Sequence, residues 1–278
     1  MALAVLLAAG VALAEIRIGT DFAETLVGTN SADLINGKGG NDTLKGLAAN
    51  DTYHFDDGFG ADTLTEAAFV KVGKKKKPGG VDTLNFSQFD EAMVVSMISQ
   101  WVAQEQGFNS VNTAGGRGSV DLGSSPVENV VGGSASDFQQ GGSAKNTYNG
   151  GPGGNDELLD LGGDDGGGPQ SLPALAASDD TFKGFTSATG NDTVTDLGGT
   201  ADKLDLRPLE SSDVYVDAID LSGDGTNDSL RIIINATTSV TVEGHLVPTD
   251  DDQENGRMEQ IIFSNEVVTS AAELNSLM

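Results

Sequence analysis

Asp33, Asp42 and Asp51 stand nine residues apart, and two residues after each comes an apolar side chain, Ile35, Leu44 or Tyr53. Asp62 with Leu64 continues the series after a two-residue insertion. Carboxylates at fixed spacing, set among glycine and asparagine, have the chemistry of oxygen ligands for a hard cation. Calcium accepts carboxylates and main-chain carbonyls in irregular geometry. The tripeptide Asp-Thr-apolar begins at Asp42, Asp51, Asp62, Asp82, Asp180 and Asp192. Chance placement gives about one occurrence, so the spacing is an internal repeat.

The elements that must position these carboxylates are short. Gly37-Lys38-Gly39-Gly40-Asn41-Asp42 reads as a tight turn, because glycine and asparagine tolerate positive φ. Thr43-Leu44-Lys45 reads as a strand whose central residue points inward while its neighbours point outward. One inward residue per nine makes no core alone. Stacked turns make one by aligning Ile35, Leu44, Tyr53 and Leu64 in successive layers. Stacking also brings aspartates together, and a divalent cation removes their repulsion.

The repeat resembles the RTX, or haemolysin-type, calcium-binding nonapeptide Gly-Gly-x-Gly-x-Asp-x-apolar-x, which forms a parallel β-roll. Gly37 to Lys45 matches closely, with Lys38 for the second glycine; Gly28 to Asn36 keeps Gly28 and Asp33; Gly46 to His54 keeps Gly46 and Asp51 but carries Ala48-Ala49. A second block runs from Gly132 to Gln140, Gly141 to Asn149 and Gly151 to Leu159, and a degenerate patch carries Asp180 and Asp192. The resemblance implies calcium on Asp33, Asp42, Asp51 and Asp62, with the turn residues Gly28, Asn30, Gly37, Gly39, Gly40, Gly46 and Ala48 contributing main-chain oxygens. It implies the same for Asp137, Asp156, Gly151 and Gly153, and for Asp180 and Asp192. Asn146 replaces an aspartate in the second block and Gln139 takes an inward position, so the first block is expected to bind more tightly. In a β-roll, turns two repeats apart are neighbours on one side; Asp33 with Asp51, and Asp42 with Asp62, are expected to share ions. "RMEQIIFSNEVVTSAAEL" is similar to the strand-rich segment that often follows such repeats. The expected fold is all-β, a parallel β-roll or β-solenoid of tandem nonapeptides with a small strand-rich C-terminal cap.

Composition agrees. Fifteen basic against 42 acidic residues leave a net charge of −27, which excludes a nucleic-acid partner. Such acidity with few aromatics also fits disorder of the metal-free chain. Cysteine is absent, so a calcium staple takes the place of disulfides. Residues 1–14, uncharged and ending in Ala12-Leu13-Ala14, read as a truncated signal peptide, too short to span a membrane, and point to a secreted, extracellular protein.

The organisation expected is a first repeat block over 15–70, a basic loop over 71–80, and a strand-rich solenoid segment over 81–131 with a helix near Met93 to Gln104 and a core Trp101. The second block then covers 132–168, a linker 169–178, a degenerate block 179–206 and a β cap 207–278. The lysine run Lys74–Lys77 reads as a solvated loop, or as a contact for an anionic surface. Asp220, Asp224 and Asp228 surround Gly223 and Gly225 like the start of an EF-hand loop, but position twelve is Arg231; a weak calcium loop and a plain turn are both open.

Neither His54 nor His245 belongs to His-Glu-x-x-His, and Gly-x-Ser-x-Gly is absent. The sequence therefore reads as a secreted, non-enzymatic calcium-binding protein whose folding is coupled to the metal. The alternatives are a β-solenoid enzyme acting on polysaccharide, and a calcium-dependent adhesin or matrix protein with a cell-surface or polysaccharide partner.

Overall fold

The computed structural model describes residues 14–66, 69–72, 75–97, 109–122, 125–141, 145–160, 179–186, 188–196, 201–246, 258–269, 273 and 277. Outside them lie the expected signal peptide apart from Ala14, the 169–178 linker, Trp101 and Lys74.

Strands alternate between two sheets. β1 (Ile16–Ile18), β3 (Leu34–Asn36) and β5 (Thr52–His54) join one; β2 (Thr25–Val27), β4 (Thr43–Lys45) and β6 (Gly60–Leu64) join the other. Each strand pairs in parallel with the strand two repeats away: Ile35 lies beside Tyr53, and Leu44 beside Leu64. This is the parallel β-roll that the resemblance to the RTX repeat implies. Three-residue strands follow from the sequence, since a turn-forming glycine or aspartate interrupts the chain on either side.

β7 (Phe69–Val72) and β8 (Lys75–Pro78) then form a separate antiparallel hairpin. The basic segment is thus partly strand rather than the loop expected. β9 (Thr83–Asn85) returns to the first sheet. β10 (Met93–Met97), β11 (Asn109–Thr113) and β12 (Gly118–Asp121) insert three antiparallel-linked strands into the second. Met93–Met97 is therefore strand where a helix was expected. Its backbone pairs residue for residue with β11 and, over Val94 to Ser96, with β14, which makes it a strand; Met93 and Val95 point inward and Val94 outward, while Ser96 and Met97 are both buried. β13 (Asn129–Val131), β15 (Thr147–Asn149), β17 (Thr181–Lys183) and β19 (Lys203–Asp205) extend the first sheet, and β14 (Phe138–Gln140), β16 (Glu157–Asp160) and β18 (Asn191–Asp196) the second.

The C-terminal strands continue both sheets. β20 (Tyr215–Ile219), β21 (Ser229–Asn235) and β22 (Thr238–Val242) form an antiparallel meander whose last strand pairs in parallel with β18. β23 (Gln260–Ile262) pairs with β19, and β24 (Val267–Val268) ends that sheet. Among the described residues no helix is long and apolar enough to cross a membrane.

The core lies between the sheets as stacked columns. Ile35, Tyr53, Leu84, Val130, Tyr148, Phe182, Leu204 and Ile261 are in register in the first sheet, and all are buried. Each such side chain contributes about 2 kcal/mol of burial, too little to order its own nine residues, so stability accrues only through stacking. Phe55, Phe59, Phe86 and Phe89 fill the wider interior beside the β10–β12 insertion, with Phe55 and Phe86 stacked at 4.6 Å. There Arg117 lies 5.3 Å from the Phe89 ring and pairs with Asp57, Asp90 and Glu91, bridging the turn before β6 to the segment before β10.

Candidate metal centre: stacked acidic turns

The turns connecting the sheets stack along two edges of the roll, and along each edge the acidic residues form a ladder. On the edge leading into the first sheet, the Asp33 N–H donates to Asp51 Oδ1 at 2.7 Å, the Asp51 N–H to Asp82 Oδ1 at 2.8 Å, and the Asp82 N–H to Glu128 Oε2 at 2.8 Å. Higher up, the Asn146 N–H donates to Asp180, the Asp180 N–H to Asp202 at 2.6 Å, and the Asp202 N–H to Glu259 at 2.8 Å. On the other edge the Glu24 N–H donates to Asp42, the Asp42 N–H to Asp62, the Asp137 N–H to Asp156, and the Asp156 N–H to Asp192. Each ladder aspartate thus uses Oδ1 to hold the layer beneath it.

The second oxygen is a different matter. Oδ2 of Asp42, Asp51, Asp62, Asp156 and Asp202 is buried and has no hydrogen-bond partner. A buried acceptor without a donor is costly, and a charged one more so. Burial pushes Asp51 and Asp62 up to about 7, Asp82 and Asp156 up to about 8, and raises Asp42. Neighbouring carboxylates add to the rise: Glu66 and Asp33 at Asp51, Asp42 at Asp62, Asp192 at Asp156.

The first glycine of each turn explains where those oxygens point. A Cβ on Gly37 would strike Asp42 Oδ2, on Gly46 Asp51 Oδ2, and on Gly28 both Asp33 Oδ2 and the Gly46 carbonyl of the next layer. Glycine leaves an oxygen-lined cradle there. A carboxylate oxygen and a main-chain carbonyl converging in a buried cradle are the donors that calcium takes. Among the described residues no group of three acidic or histidine side chains converges to hold an ion without the main chain. Carboxylates from stacked turns together with carbonyls are therefore the donor set that fits.

The expected residues divide accordingly. Asp33 gives both oxygens to protein donors, the Glu15 N–H at 2.6 Å and the Thr29 N–H among them; Asp137 does likewise with Met93 and Gly133. Asn30 is exposed and Ala48 buried in its turn; Gly39 packs near Asp21 and the Gly58 carbonyl, and Gly40, at φ +104°, lies under Gly60. In the second block the glycine against Asp156 is Gly150; Gly151 adopts φ +112° over Gly133, and Gly153 stands near the Ser134 carbonyl. The Gln139 amide reaches into the Gly132 cradle and donates to the Asn149 carbonyl at 2.8 Å, a neutral donor at the mouth of an acidic turn. Asp180 and Asp192 both sit in the ladders.

The loop at Asp220 closes on itself: Asp220 accepts from the N–H groups of Gly223, Asp224 and Gly225, and Asp228 from those of Leu221 and Ser222. Led by the Gly225 N–H at Asp220 and the Ser229 hydroxyl at Asp228, such bonds hold both carboxyls below the usual carboxylate range. The loop is a hydrogen-bonded turn in which Asp220 and Asp228 spend their carboxylate oxygens on protein donors. Glu24, Asp82, Glu128, Asp202 and Glu259 are ladder members absent from the expected ligand set; each stands two residues before an inward apolar side chain, the signal that would have found them.

Comparison with known proteins agrees with this geometry. Residues 18–53 match the family model of the RTX calcium-binding nonapeptide repeat (4 copies), and residues 40–262 match that of the Peptidase M10 serralysin C terminal. Among solved structures, the extracellular lipase LipA from Serratia marcescens is similar at 15% identity and a TM-score of 0.24. That match covers 88% of this chain and 40% of the lipase chain, so the chain spans less than half of the lipase's length. No curated protein sequence matches.

Proposed function

We infer, for a chain that belongs to the serralysin C-terminal (Peptidase M10) family and carries RTX calcium-binding repeats, a secreted, non-catalytic protein whose acidic turns couple calcium binding to folding of the roll. The observation that carries this reading is the set of buried, unpartnered Oδ2 atoms at Asp42, Asp51, Asp62, Asp156 and Asp202. Calcium, when bound, supplies the positive charge that these oxygens otherwise lack, and they would serve as its ligands. Asp42 and Asp62, and Asp51 and Asp82, stand in adjacent layers and would be bridged; the glycine cradles would bring main-chain carbonyls to the same ions. Without a cation, stacking these layers forces carboxylates together in a chain of net charge −27. A low-calcium compartment therefore disfavours the stack, and a calcium-rich exterior favours it by mass action.

The two histidines serve structure in this reading. His54 Nε2 lies 3.1 Å from Asp56 Oδ1, and His245 Nδ1 accepts the Met258 N–H at 3.1 Å.

Far-ultraviolet circular dichroism of the metal-depleted chain, followed by titration to millimolar calcium, tests the coupling. The expected result is a cooperative gain of β signal as calcium rises. A fully β-structured chain in chelator that does not change on adding calcium would refute it.

A further inference from the structure

One layer of the first ladder departs from the rest. In most layers the first glycine of a turn donates its N–H to a main-chain carbonyl of the layer above: Gly28 to Lys45 at 2.7 Å, Gly132 to Asn149 at 2.8 Å, Gly141 to Leu159 at 3.0 Å. Gly46 does not. By the register of β4 on β6 it lies beneath Glu66, and its N–H goes to Glu66 Oε1 at 2.6 Å. Glu66 occupies the position where the layers below carry Gly28 and Gly46, and the nonapeptide turn that would follow is replaced by the β7–β8 insertion.

The glutamate is held by design of its surroundings. Its own N–H donates to Ser125 Oγ at 2.8 Å, and the Ser125 hydroxyl donates to the Leu64 carbonyl at 3.0 Å. The buried Tyr53 hydroxyl donates to Oε1. Glu66 is 7% exposed, yet Oε2 is buried with no hydrogen-bond partner; Asp51, 1% exposed, leaves Oδ2 in the same condition. Both carboxylates meet at Gly46, where a Cβ would strike Asp51 Oδ2 and the Tyr53 hydroxyl. The ion pairs among the described side chains involve carboxylates other than Asp51, Glu66, Asp82 and Glu128. Two buried carboxylates at one glycine, each with an oxygen to spare, meet no counter-charge among the described side chains.

We propose that Glu66 is a calcium ligand, holding with Asp51 an ion at the interrupted layer. The Gly28 cradle is lined by Asp33 Oδ2 and the Gly46 carbonyl; at Gly46 a Cβ would meet Asp51 Oδ2 and the Tyr53 hydroxyl, and Glu66 Oε1 holds both that hydroxyl and the Gly46 N–H. A carboxylate thus takes the glycine N–H that a main-chain carbonyl takes at Gly28, and the site carries an extra negative charge. It lets the roll continue through a break in the repeat, and it favours higher-valent cations over the carbonyl-lined cradles. The inference rests on the calcium-binding reading above.

Terbium is the probe, because it takes calcium's oxygen ligands and is sensitised by a nearby tyrosine. Emission from the full chain is compared for wild type, Tyr53→Phe and Glu66→Gln, together with calcium titrations by calorimetry. Glu66→Gln keeps Oε1 as an acceptor for the Gly46 N–H. The expected result is that the Tyr53-dependent emission is lost in Glu66→Gln, and that one class of calcium site disappears or weakens at least tenfold while the others persist. Wild-type emission and an unchanged calcium isotherm in Glu66→Gln would overturn the role of Glu66 alone; no calcium binding by wild type would overturn the parent reading instead. Should Glu66→Gln fail to fold, anomalous diffraction from wild-type crystals grown with terbium decides. A peak within about 2.6 Å of Glu66 Oε2 supports the assignment, and peaks confined to the nonapeptide turns overturn it.

Discussion

Ala49 has φ +75°, Leu47 +85° and Lys38 +69°, so three residues with a Cβ occupy turn positions in the left-handed region. Such a residue costs about 1–2 kcal/mol there. The repeat tolerates this because the turns are fixed from outside: the Lys38 N–H donates to Asn36 Oδ1 at 2.8 Å, and its amine pairs with Asp56. Ala49, whose N–H meets the Gly79 carbonyl, has little side chain to lose. Ala49→Gly relieves the left-handed strain and gives back part of the gain as chain entropy in the unfolded state. We expect a net stabilisation of about 0.5–1 kcal/mol in saturating calcium, seen as a small rise in melting temperature. A fall in melting temperature would show that the Ala49 methyl contributes packing that outweighs the backbone term. The glycines of the cradles behave oppositely: at Gly46 a methyl would displace a carboxylate, and no backbone gain compensates.

At the scale of the strand and turn, the pairing of β4 with β6 in register puts Asp42 and Asp62 in adjacent layers of one edge, whereas Asp51 stands on the opposite edge across the core. A double-mutant cycle on the calcium midpoint of the full chain reads this arrangement. Asp42→Asn with Asp62→Asn should show a coupling of about 1 kcal/mol or more, and Asp42→Asn with Asp51→Asn should be additive within about 0.5 kcal/mol. Stronger coupling across the core than along the edge would contradict the shared-ion assignment. The repeat is legible in the sequence because Asp33, Asp42 and Asp51 keep a strict nine-residue period and each carries an inward side chain two places on; the alternation of edges follows from the resemblance to the β-roll repeat. Insertions erase that signal. Between Glu66 and Asp82 the chain leaves the roll for the β7–β8 hairpin, so Glu66 falls outside any nonapeptide and its place above Gly46 emerges only from strand register. From the sequence the segment at Met93 reads as helix, because short apolar runs do not separate the two periods; its partners β11 and β14, distant in sequence, make it a strand. Glu128 and Glu259 were missed for a narrower reason: they are ladder carboxylates of the longer type, at positions where the motif names aspartate.

Over the whole molecule, the buried ladder sets a pH dependence opposite to that of most acidic proteins. Asp51, Asp62 and Asp202 are pushed up to about 7, Asp82 and Asp156 to about 8, and Asp137 and Asp192 to about 6, from an ordinary value of 3.8, with burial the leading cause throughout. A carboxyl whose folded pKa is raised binds its proton more tightly in the fold than in the unfolded chain. Its stabilising effect is complete below about pH 4 and is lost as pH rises through the folded values, here between about 6 and 8. The metal-depleted chain should therefore melt at a higher temperature at pH 5 than at pH 8, a trend that growing self-repulsion of the deprotonated carboxylates reinforces. Cations compete with those protons for the same oxygens, so calcium affinity should increase over the same range and binding near pH 7 should release protons. Thermal melts of decalcified protein at pH 5, 6, 7 and 8, repeated with saturating calcium, measure the first effect. Calorimetric titrations in two buffers of different ionisation enthalpy measure the second. A metal-depleted melting temperature that climbs from pH 5 to pH 8 would mean that the ladder carboxylates are already charged and compensated without calcium, and the coupling of metal to folding would lose its physical basis.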